Sequence, residues 1–272
     1  MTTTIALAGK GGTGKTTVAA LLIRYLMEEQ RAGAILAIDA DPASNLHLVL
    51  GMEVDQTIGE IREDMLDQVQ TSGALAGAMP GGMSKQEYLD YQVQMSLVEG
   101  ERIDLLAMGR PEGQGCYCAA NQMLRLILDR LKSQYDYVII DNEAGMEHLS
   151  RRTTRDVDVL LLVTDPTQRG LNTASRMQDM VPELEIGVGR VCLIVNRLRS
   201  AGDSRAEPMP QPLMDAIEAA DLSLTGTLPE EPTMAEFEFT GRPLVELPEE
   251  TGLYQAVREI AREILPSSRS DP

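Results

Sequence analysis

The sequence predicts an α/β fold, in which a doubly wound, mostly parallel β-sheet is flanked by helices. Short apolar runs, typical of strands that are covered on both faces, recur along the chain. Amphipathic stretches with helical spacing lie between these runs. The apolar runs are Thr3–Ala8, Ala34–Asp39, Tyr137–Asp141, Val157–Val163 and Val191–Val195, with shorter candidates at Ile103–Ala107 and Leu222–Leu228. The helical stripes are Val18, Leu21, Leu22 and Leu26, and Met123, Leu124, Ile127, Leu128 and Leu131.

The chain of 272 residues is predicted to form one domain over residues 1–265. No internal repeat or linker marks a second domain. Residues 52–102 contain no clear strand and predict a helical insertion, which is either a partner-specific surface or a plain helical cover for the sheet edge. Residues 266–272 are rich in Ser and Pro and predict a disordered tail.

The net charge of −18 argues against nucleic-acid and membrane partners. Such an acidic surface repels phosphates and anionic headgroups unless a basic patch compensates, and the sequence contains none. No signal peptide precedes the first strand, and no apolar run approaches the roughly 20 residues that span a bilayer. The expected location is the cytoplasm, where the three cysteines are expected to be thiols, metal ligands or redox groups rather than structural disulfides.

A glycine-rich segment follows the first predicted strand and opens a predicted helix. It reads Gly9-Lys10-Gly11-Gly12-Thr13-Gly14-Lys15-Thr16-Thr17 and matches the P-loop pattern G-x-x-x-x-G-K-[ST]. Its glycines let backbone amides face phosphate oxygens, and the helix N-terminus adds positive potential. Lys15 is predicted to contact the β- and γ-phosphates, Thr16 to coordinate Mg²⁺ and Thr17 to reach the α-phosphate. The predicted nucleotide-binding residues here are Gly11, Gly12, Thr13, Gly14, Lys15, Thr16 and Thr17. The sequence therefore predicts a P-loop NTPase fold.

Lys10, just after the first glycine, makes this segment resemble the deviant Walker A family. That family includes the MinD and ParA proteins, the nitrogenase iron protein and several metal-cluster maturation ATPases. The resemblance implies a homodimer that hydrolyses ATP to ADP and phosphate. It also implies that Lys10 reaches across the dimer interface and stabilises transition-state charge, as an arginine finger does. The alternative is an exposed loop lysine without a catalytic role.

Carboxylates end two of the predicted strands, where ligands bind in such sheets. Asp39 and Asp41 lie in Ile38-Asp39-Ala40-Asp41-Pro42, which resembles switch I of the family, and Asp141 ends a strand with the Walker B pattern. The resemblance implies that Asp41 positions or activates the attacking water. It places Asp39 near Mg²⁺ through water, and Asp141 at the hydration shell of the metal.

The segment that follows Asp141 resembles switch II of the same family. Its predicted members are Glu143, Ala144 and Gly145. A small residue and a glycine there let the backbone approach the γ-phosphate. Such loops become ordered on the γ-phosphate and relax after hydrolysis.

Two segments near the end of the predicted sheet resemble adenine-binding segments of the family. Val195-Asn196-Arg197 resembles V-N-R, and the end of Gly226–Glu230 resembles L-P-x-[DE]. The resemblance implies that Asn196 hydrogen-bonds the base and that Pro229 and Glu230 line its pocket. Alternatively, Pro229 merely ends a strand.

The cysteine pair Cys116-Tyr117-Cys118 is the second informative motif. In extended backbone, residues i and i+2 point the same way, so both sulfurs share one face. A two-fold axis beside this loop would bring two further thiolates and create a tetrahedral S₄ site, which suits Zn²⁺, some nickel sites or an Fe–S cluster. The alternatives are incidental thiols or a redox pair. Cys192, inside an apolar run, is predicted to be a core residue.

The narrowest resemblance is carried by residues 109–121 and Asp141–His148. These segments resemble the nickel-insertion accessory ATPases of carbon monoxide dehydrogenase, the CooC family. The resemblance implies an ATP-dependent dimer that binds Ni²⁺, with Zn²⁺ possible at the same site, through Cys116 and Cys118. It implies a nickel-containing client, either carbon monoxide dehydrogenase or acetyl-CoA synthase, whose maturation ATPases share these motifs.

Two alternatives belong to other functional classes. One is an electron-transfer ATPase with an iron–sulfur cluster at the dimer interface, although such proteins draw widely separated cysteines from each chain. The other is a positioning ATPase of the MinD or ParA type. The acidic net charge and a C-terminal helix that balances arginine against glutamate argue against it.

Overall fold

The computed structural model describes residues 2–28, 33–61, 63–64, 83–109, 129–145, 156–183, 186–199 and 209–265. In these ranges, strands β1 to β8 are Thr3–Ala8, Ile35–Ala40, Val98–Glu99, Ile103–Ala107, Tyr137–Asn142, Asp156–Thr164, Gly187–Leu198 and Leu224–Pro229. Helices α1 to α7 are Lys15–Glu28, Leu46–Leu50, Lys85–Met95, Gln168–Met180, Gln211–Ala219, Thr233–Thr240 and Gly252–Ile264. Short 3₁₀ helices span Val181–Glu183 and Leu244–Glu246.

The eight described strands form one sheet in the order β3-β4-β2-β5-β1-β6-β7-β8. All neighbouring pairs are parallel except β3 and β4. In the centre, Ile5 of β1 is in register with Ile139 of β5 and with Val159 of β6. The predicted doubly wound, mostly parallel sheet is therefore confirmed, and its carboxyl edge carries the ends of β1, β2 and β5 side by side.

In region 52–102, of which residues 52–61, 63–64 and 83–102 are described, one observation differs from the sequence-based expectation. The sequence predicts no strand there, yet Val98–Glu99 pairs antiparallel with β4. A strand of two residues is too short to produce a periodic pattern, so the local sequence carries no signal for it. Helix α3 in this region begins with a capping box formed by Ser84 and Glu87.

Apolar layers cover both faces of the sheet, because successive side chains of a strand point to opposite faces. Ile5 and Leu7 lie in the layer that contains α1 and α7, whereas Ala6 and Ala8 lie in the layer that contains α4 and α5. The predicted stripe of α1 is buried, as is Cys192 of β7. Both the stripe and the core position of Cys192 are thus confirmed.

The last described helix packs on the first one. The guanidinium of Arg24 lies 4.0 Å from the centre of the Tyr254 ring, and the Tyr254 hydroxyl donates to Glu28. Arg24 also donates to the Leu247 carbonyl. Tyr254 is fully buried, so helix α7 completes the core around the helix that follows the glycine-rich loop.

Several expectations concern residues outside the described ranges. These are the C-x-C motif, the end of the switch II segment, most of the 123–131 stripe and the 266–272 tail. The helices within the described ranges are too short or too polar to cross a lipid bilayer.

Candidate nucleotide-binding site

The glycine-rich loop connects the end of β1 to the start of α1 at the carboxyl edge of the sheet. Gly12 and Gly14 have φ angles of +78° and +92°, which favour glycine. Thr13 closes the loop on itself, because its amide and its hydroxyl both donate to the Lys10 carbonyl, at 3.3 and 2.9 Å. This is the strand–loop–helix context that the phosphate-binding motif requires.

Lys15, the first residue of α1, directs its ammonium group back into this loop. Nζ donates to the carbonyls of Gly9 and Lys10 at 3.3 and 3.4 Å, and the residue is 7% exposed. Burial lowers the pKa of Lys15, while the neighbouring carboxylates of Asp141 and Asp41 oppose that shift. A partly desolvated cation beside a glycine-rich loop is suited to binding an anion.

Thr16 and Asp141 meet directly beneath the loop. The Thr16 hydroxyl donates to Asp141 Oδ2 at 2.6 Å, and Asp141 is 1% exposed. Asp141 Oδ1 is buried and has no hydrogen-bond partner among the described residues. Burial raises the pKa of Asp141 to about 6. A hydroxyl beside a carboxylate with a free oxygen fits the oxygen-rich environment that Mg²⁺ prefers.

Asp39 lies beside Asp141, because these residues are in register on neighbouring strands β2 and β5. Its two carboxylate oxygens accept hydrogen bonds from the amides of Asp41 and Leu46, at 3.1 and 2.9 Å. Asp39 is fully buried, and this burial raises its pKa to about 7. The carboxylate therefore anchors Asp41 of the predicted switch I segment and Leu46 at the start of α2, a role that its sequence pattern does not indicate.

Asp41 lies in the loop between β2 and α2 and is partly exposed to solvent. Its Oδ1 accepts a hydrogen bond from the Ala43 amide at 2.8 Å, and its carbonyl accepts one from the Ser44 amide at 2.9 Å. Its carboxylate lies near enough to Lys15 to oppose the lowering of the Lys15 pKa by burial. The structure thus brings Asp41 to the phosphate-binding loop on an ordered turn.

The described part of the predicted switch II segment covers the same loop. The Gly145 amide donates to the Gly9 carbonyl at 3.3 Å, and Gly145 has a φ of +105°. A Cβ placed on Gly11 would lie 3.7 Å from the Cβ of Ala144. Glu143 lies close enough to influence the pKa of Lys15. The three predicted switch II residues therefore gather at the P-loop.

The two predicted adenine segments lie next to each other at the ends of β7 and β8. Leu198 is in register with Pro229, and the Glu230 amide donates to the Leu198 carbonyl at 3.1 Å. Arg199 and Glu230 form an exposed ion pair at 2.7 Å. Asn196 is buried and donates through Nδ2 to the Thr13 carbonyl at 2.8 Å. No pattern in the sequence indicates this contact between Asn196 and the P-loop.

A cavity of about 470 Å³ adjoins these segments on the face of the sheet that carries α4 and α5. It is lined by Pro166, Gln168, Leu171, Arg197, Leu198, Arg199, Pro210, Pro212, Leu213 and Ala216. Arginine side chains and apolar residues both contribute to its wall. Asn196, Pro229 and Glu230 do not line it, so the cavity is separate from the residues predicted to bind the base.

Lys10 and the cysteine pair are the remaining predicted groups. Lys10 is exposed at the rim of the loop rather than packed among the other site residues. Cys116 and Cys118 lie outside the described ranges. Within those ranges, no group of three or more His, Cys, Asp or Glu residues is arranged to hold a metal ion.

Comparison with known proteins agrees with this geometry. The family model described as AAA domain matches residues 2–186. The chain is 43% identical over 262 residues to an uncharacterized ATP-binding protein of Methanocaldococcus jannaschii, covering 96% of this chain and 98% of that protein. It is 32% identical over 230 residues to the carbon monoxide dehydrogenase accessory protein CooC of Rhodospirillum rubrum, covering 80% and 86%.

A solved structure shares the fold over nearly the full length. It is the septum site-determining protein MinD of Pyrococcus horikoshii in complex with Mg-ADP, with a TM-score of 0.65 and 24% sequence identity, covering 97% of this chain and 96% of that one. At this identity the likeness concerns the fold alone. Together with the matching family model and the relatives above, it leads to one assignment. The chain belongs to the AAA-domain family of ParA/MinD-like P-loop ATPases.

Proposed function

We propose that this chain is an ATP-hydrolysing, nickel-binding maturation factor that assists nickel insertion into the active-site cluster of carbon monoxide dehydrogenase. The ATPase part is carried by one observation, the contact between the Thr16 hydroxyl and the buried carboxylate of Asp141 beside Lys15. The metal and client part is supported by the 32% identity to the accessory protein CooC and by the Cys116-Tyr117-Cys118 motif.

In this proposal, the loop amides and Lys15 bind the phosphate chain of ATP. Thr16 and Asp141 would hold Mg²⁺, with Asp39 nearby, and the cation would neutralise charge on the β- and γ-phosphates. Asp41 orients a water molecule and accepts its proton as the water oxygen attacks the γ-phosphorus and the bond to ADP breaks. The buried carboxylates of Asp39 and Asp141 support this cation site, because burial raises their pKa values and a bound cation would offset the cost of their ionisation.

The proposal includes an ATP-dependent homodimer in which Lys10 acts on the nucleotide of the partner. Exposure of Lys10 at the rim of the loop supports this role, since the side chain can extend away from its own subunit. Lys10→Ala is expected to lose hydrolysis while each chain keeps its own P-loop. The wild-type rate per chain should rise with protein concentration, and a constant rate from a confirmed monomer would contradict the dimer.

The metal site is proposed to form from Cys116 and Cys118 of both chains. Four thiolates from two chains predict one Ni²⁺ per dimer, weaker binding as pH falls, and Zn²⁺ as a competitor. Equilibrium titration of anaerobic protein with Ni²⁺ tests this. Cys118→Ala should abolish tight binding and leave the basal ATPase intact, and Cys192→Ala, at a buried core cysteine, is the matched control. Unchanged affinity in Cys118→Ala, or one tight ion per chain, would rule out the shared site.

The client is tested by reconstitution. Nickel-free carbon monoxide dehydrogenase is incubated with the protein, Ni²⁺ and ATP, and acetyl-CoA synthase is examined in parallel. Activation of either enzyme that requires ATP and both cysteines supports the proposal and identifies the client. A purified protein that carries an iron–sulfur chromophore would favour electron transfer, and ATP-dependent binding to anionic liposomes would favour a positioning ATPase.

A further inference from the structure

A buried amide connects the end of strand β7 to the phosphate-binding loop. Asn196 is 5% exposed, and its Nδ2 donates to the carbonyl of Thr13 at 2.8 Å. Its Oδ1 accepts a hydrogen bond from the Arg197 amide, also at 2.8 Å. One neighbour is an acceptor and the other is a donor, so these two contacts fix the orientation of the side-chain amide.

The backbone is shaped around this contact on both sides. Arg197 adopts a left-handed conformation, with a φ of +59°, where the pairing of β7 with β8 shifts register. Such a conformation is uncommon for a residue with a Cβ, and here it turns the Arg197 amide toward Asn196. On the other side, a Cβ on Gly14 would collide with Asn196 Nδ2. Only glycine at position 14 lets the amide reach the loop.

Thr13 is the point at which this contact affects the rest of the loop. Thr13 donates twice to the carbonyl of Lys10, which also accepts a hydrogen bond from Lys15 Nζ. Holding Thr13 therefore also holds the position of Lys10 and of the ammonium group of Lys15. A continuous set of hydrogen bonds runs from β7, through the loop, to the cation that faces the phosphates.

We propose that Asn196 is a positioning residue for the phosphate-binding loop, acting through Thr13 independently of any contact with the base. The inference rests on the proposed function, because it assigns a second role to a residue of the same site. It differs from the adenine contact expected from the sequence. Asn196 holds the loop in the shape that receives phosphates before any base arrives, and its second Nδ2 hydrogen stays available for a base. Phosphate affinity without a base therefore depends on Asn196.

The test uses Asn196→Leu, which keeps the shape and neutrality of the side chain but removes both hydrogen bonds. Calorimetry measures the binding of inorganic tripolyphosphate, which has no base, and of ATP, both with Mg²⁺. Tripolyphosphate affinity is expected to fall about tenfold, since a buried hydrogen bond is lost and a carbonyl is left unpaired. ATP affinity should fall by at least the same factor. Asn172→Leu, at an exposed asparagine of α4, is the matched control and should change neither affinity.

Two outcomes of these binding measurements would overturn the proposal. The first is an Asn196→Leu variant with unchanged tripolyphosphate affinity and weakened ATP affinity. This result would limit the role of Asn196 to binding the base. The second is a wild-type protein that binds ATP but not tripolyphosphate, because a loop held by Asn196 has to bind phosphates unaided. Wild-type protein that binds tripolyphosphate but not ATP would contradict the proposed function instead, and the variants would still decide the role of Asn196.

If the Asn196→Leu protein does not fold, the Asn196→Ala protein is used instead. A measurement on the wild-type protein needs no substitution. In the nucleotide-free state, the side-chain amide protons of Asn196 should exchange with solvent at least about tenfold more slowly than those of exposed Asn172, because one of them is bonded to Thr13. Equal exchange rates would contradict the proposal.

Discussion

The two ends of the proposed nucleotide site, the phosphate end at the P-loop and the base end at Arg199 and Glu230, are built from different interactions. At the phosphate end, Lys15, Asp39 and Asp141 are 7%, 0% and 1% exposed, and no ion pair joins them in the described structure. At the base end, the ion pair of Arg199 and Glu230 is exposed at 83% and 48% of its side-chain surface. Buried charges act in a medium of low polarity, whereas exposed pairs are screened by water. The phosphate end should therefore respond strongly to substitution and to pH, and the base end only weakly.

The largest effect is expected at the buried cation. Lys15→Ala should reduce kcat/KM for ATP by about a thousandfold and weaken ATP binding, because the variant loses the buried positive charge inside the loop. Steady-state hydrolysis and calorimetry measure the two effects. An intact thermal unfolding midpoint confirms that the fold survives. Parental turnover in this variant would contradict the whole site.

Asp41→Ala separates binding from chemistry at the same end of the site. Hydrolysis should fall about a hundredfold or more, since a positioned base is lost, while ATP affinity changes little. Single-turnover hydrolysis and equilibrium binding measure the two quantities. Asp55→Ala, at an exposed aspartate, is the matched control and should bind and hydrolyse ATP as the parent does. Hydrolysis at the parental rate would show that Asp41 does not act on the water.

Asp39→Asn tests the buried charge through pH. Because burial raises the pKa of Asp39 from 3.8 to about 7, the folded state keeps a proton that the unfolded chain has already released. The stability that this group contributes is full below about pH 4 and is lost as pH rises to about 7. Without Mg²⁺ and nucleotide, the stability of the variant relative to the parent should rise by about 3 kcal/mol from about pH 5 to about pH 8.

Denaturant titrations at the two pH values measure this difference. The substituted side-chain amide would lose one of the two backbone contacts that the carboxylate makes, but that cost is independent of pH and cancels in the comparison. Asp55→Asn should show no pH-dependent difference from the parent. If the stability difference between Asp39→Asn and the parent also did not depend on pH, the Asp39 carboxylate would not be desolvated.

The smallest effect is expected at the exposed ion pair. Arg199→Ala should change ATP affinity by less than about threefold, because a solvent-exposed pair gains little from its Coulomb attraction. Arg176→Ala, at an exposed arginine of α4, is the control. A much larger loss of ATP affinity in Arg199→Ala would remove the contrast between the two ends. It would indicate that Arg199 contacts the nucleotide directly.

The fold and the P-loop are predictable because their signals are local. Apolar runs identify β1 and β5, and the glycine pattern identifies the loop, since each depends on residues close together in sequence. The roles of Asp39 and Asn196 are not predictable in this way. Asn196 bonds a carbonyl 183 positions away, and Asp39 fastens a loop whose turns appear only in three dimensions. Strand β3 cannot be predicted from the sequence, because its two residues are too few to form a periodic pattern.

The packing of α7 on α1 has a consequence for the order of events during synthesis. Tyr254, Val257 and Ile260 belong to the same apolar cluster as Leu21 and Leu22 of α1, although these helices lie at opposite ends of the chain. A nascent chain lacks that covering while α7 is still in the exit tunnel. We therefore expect nucleotide binding to begin only after α7 has emerged and packed on α1. Proteolysis of stalled nascent chains of increasing length, with protection of α1 as the readout, measures this timing.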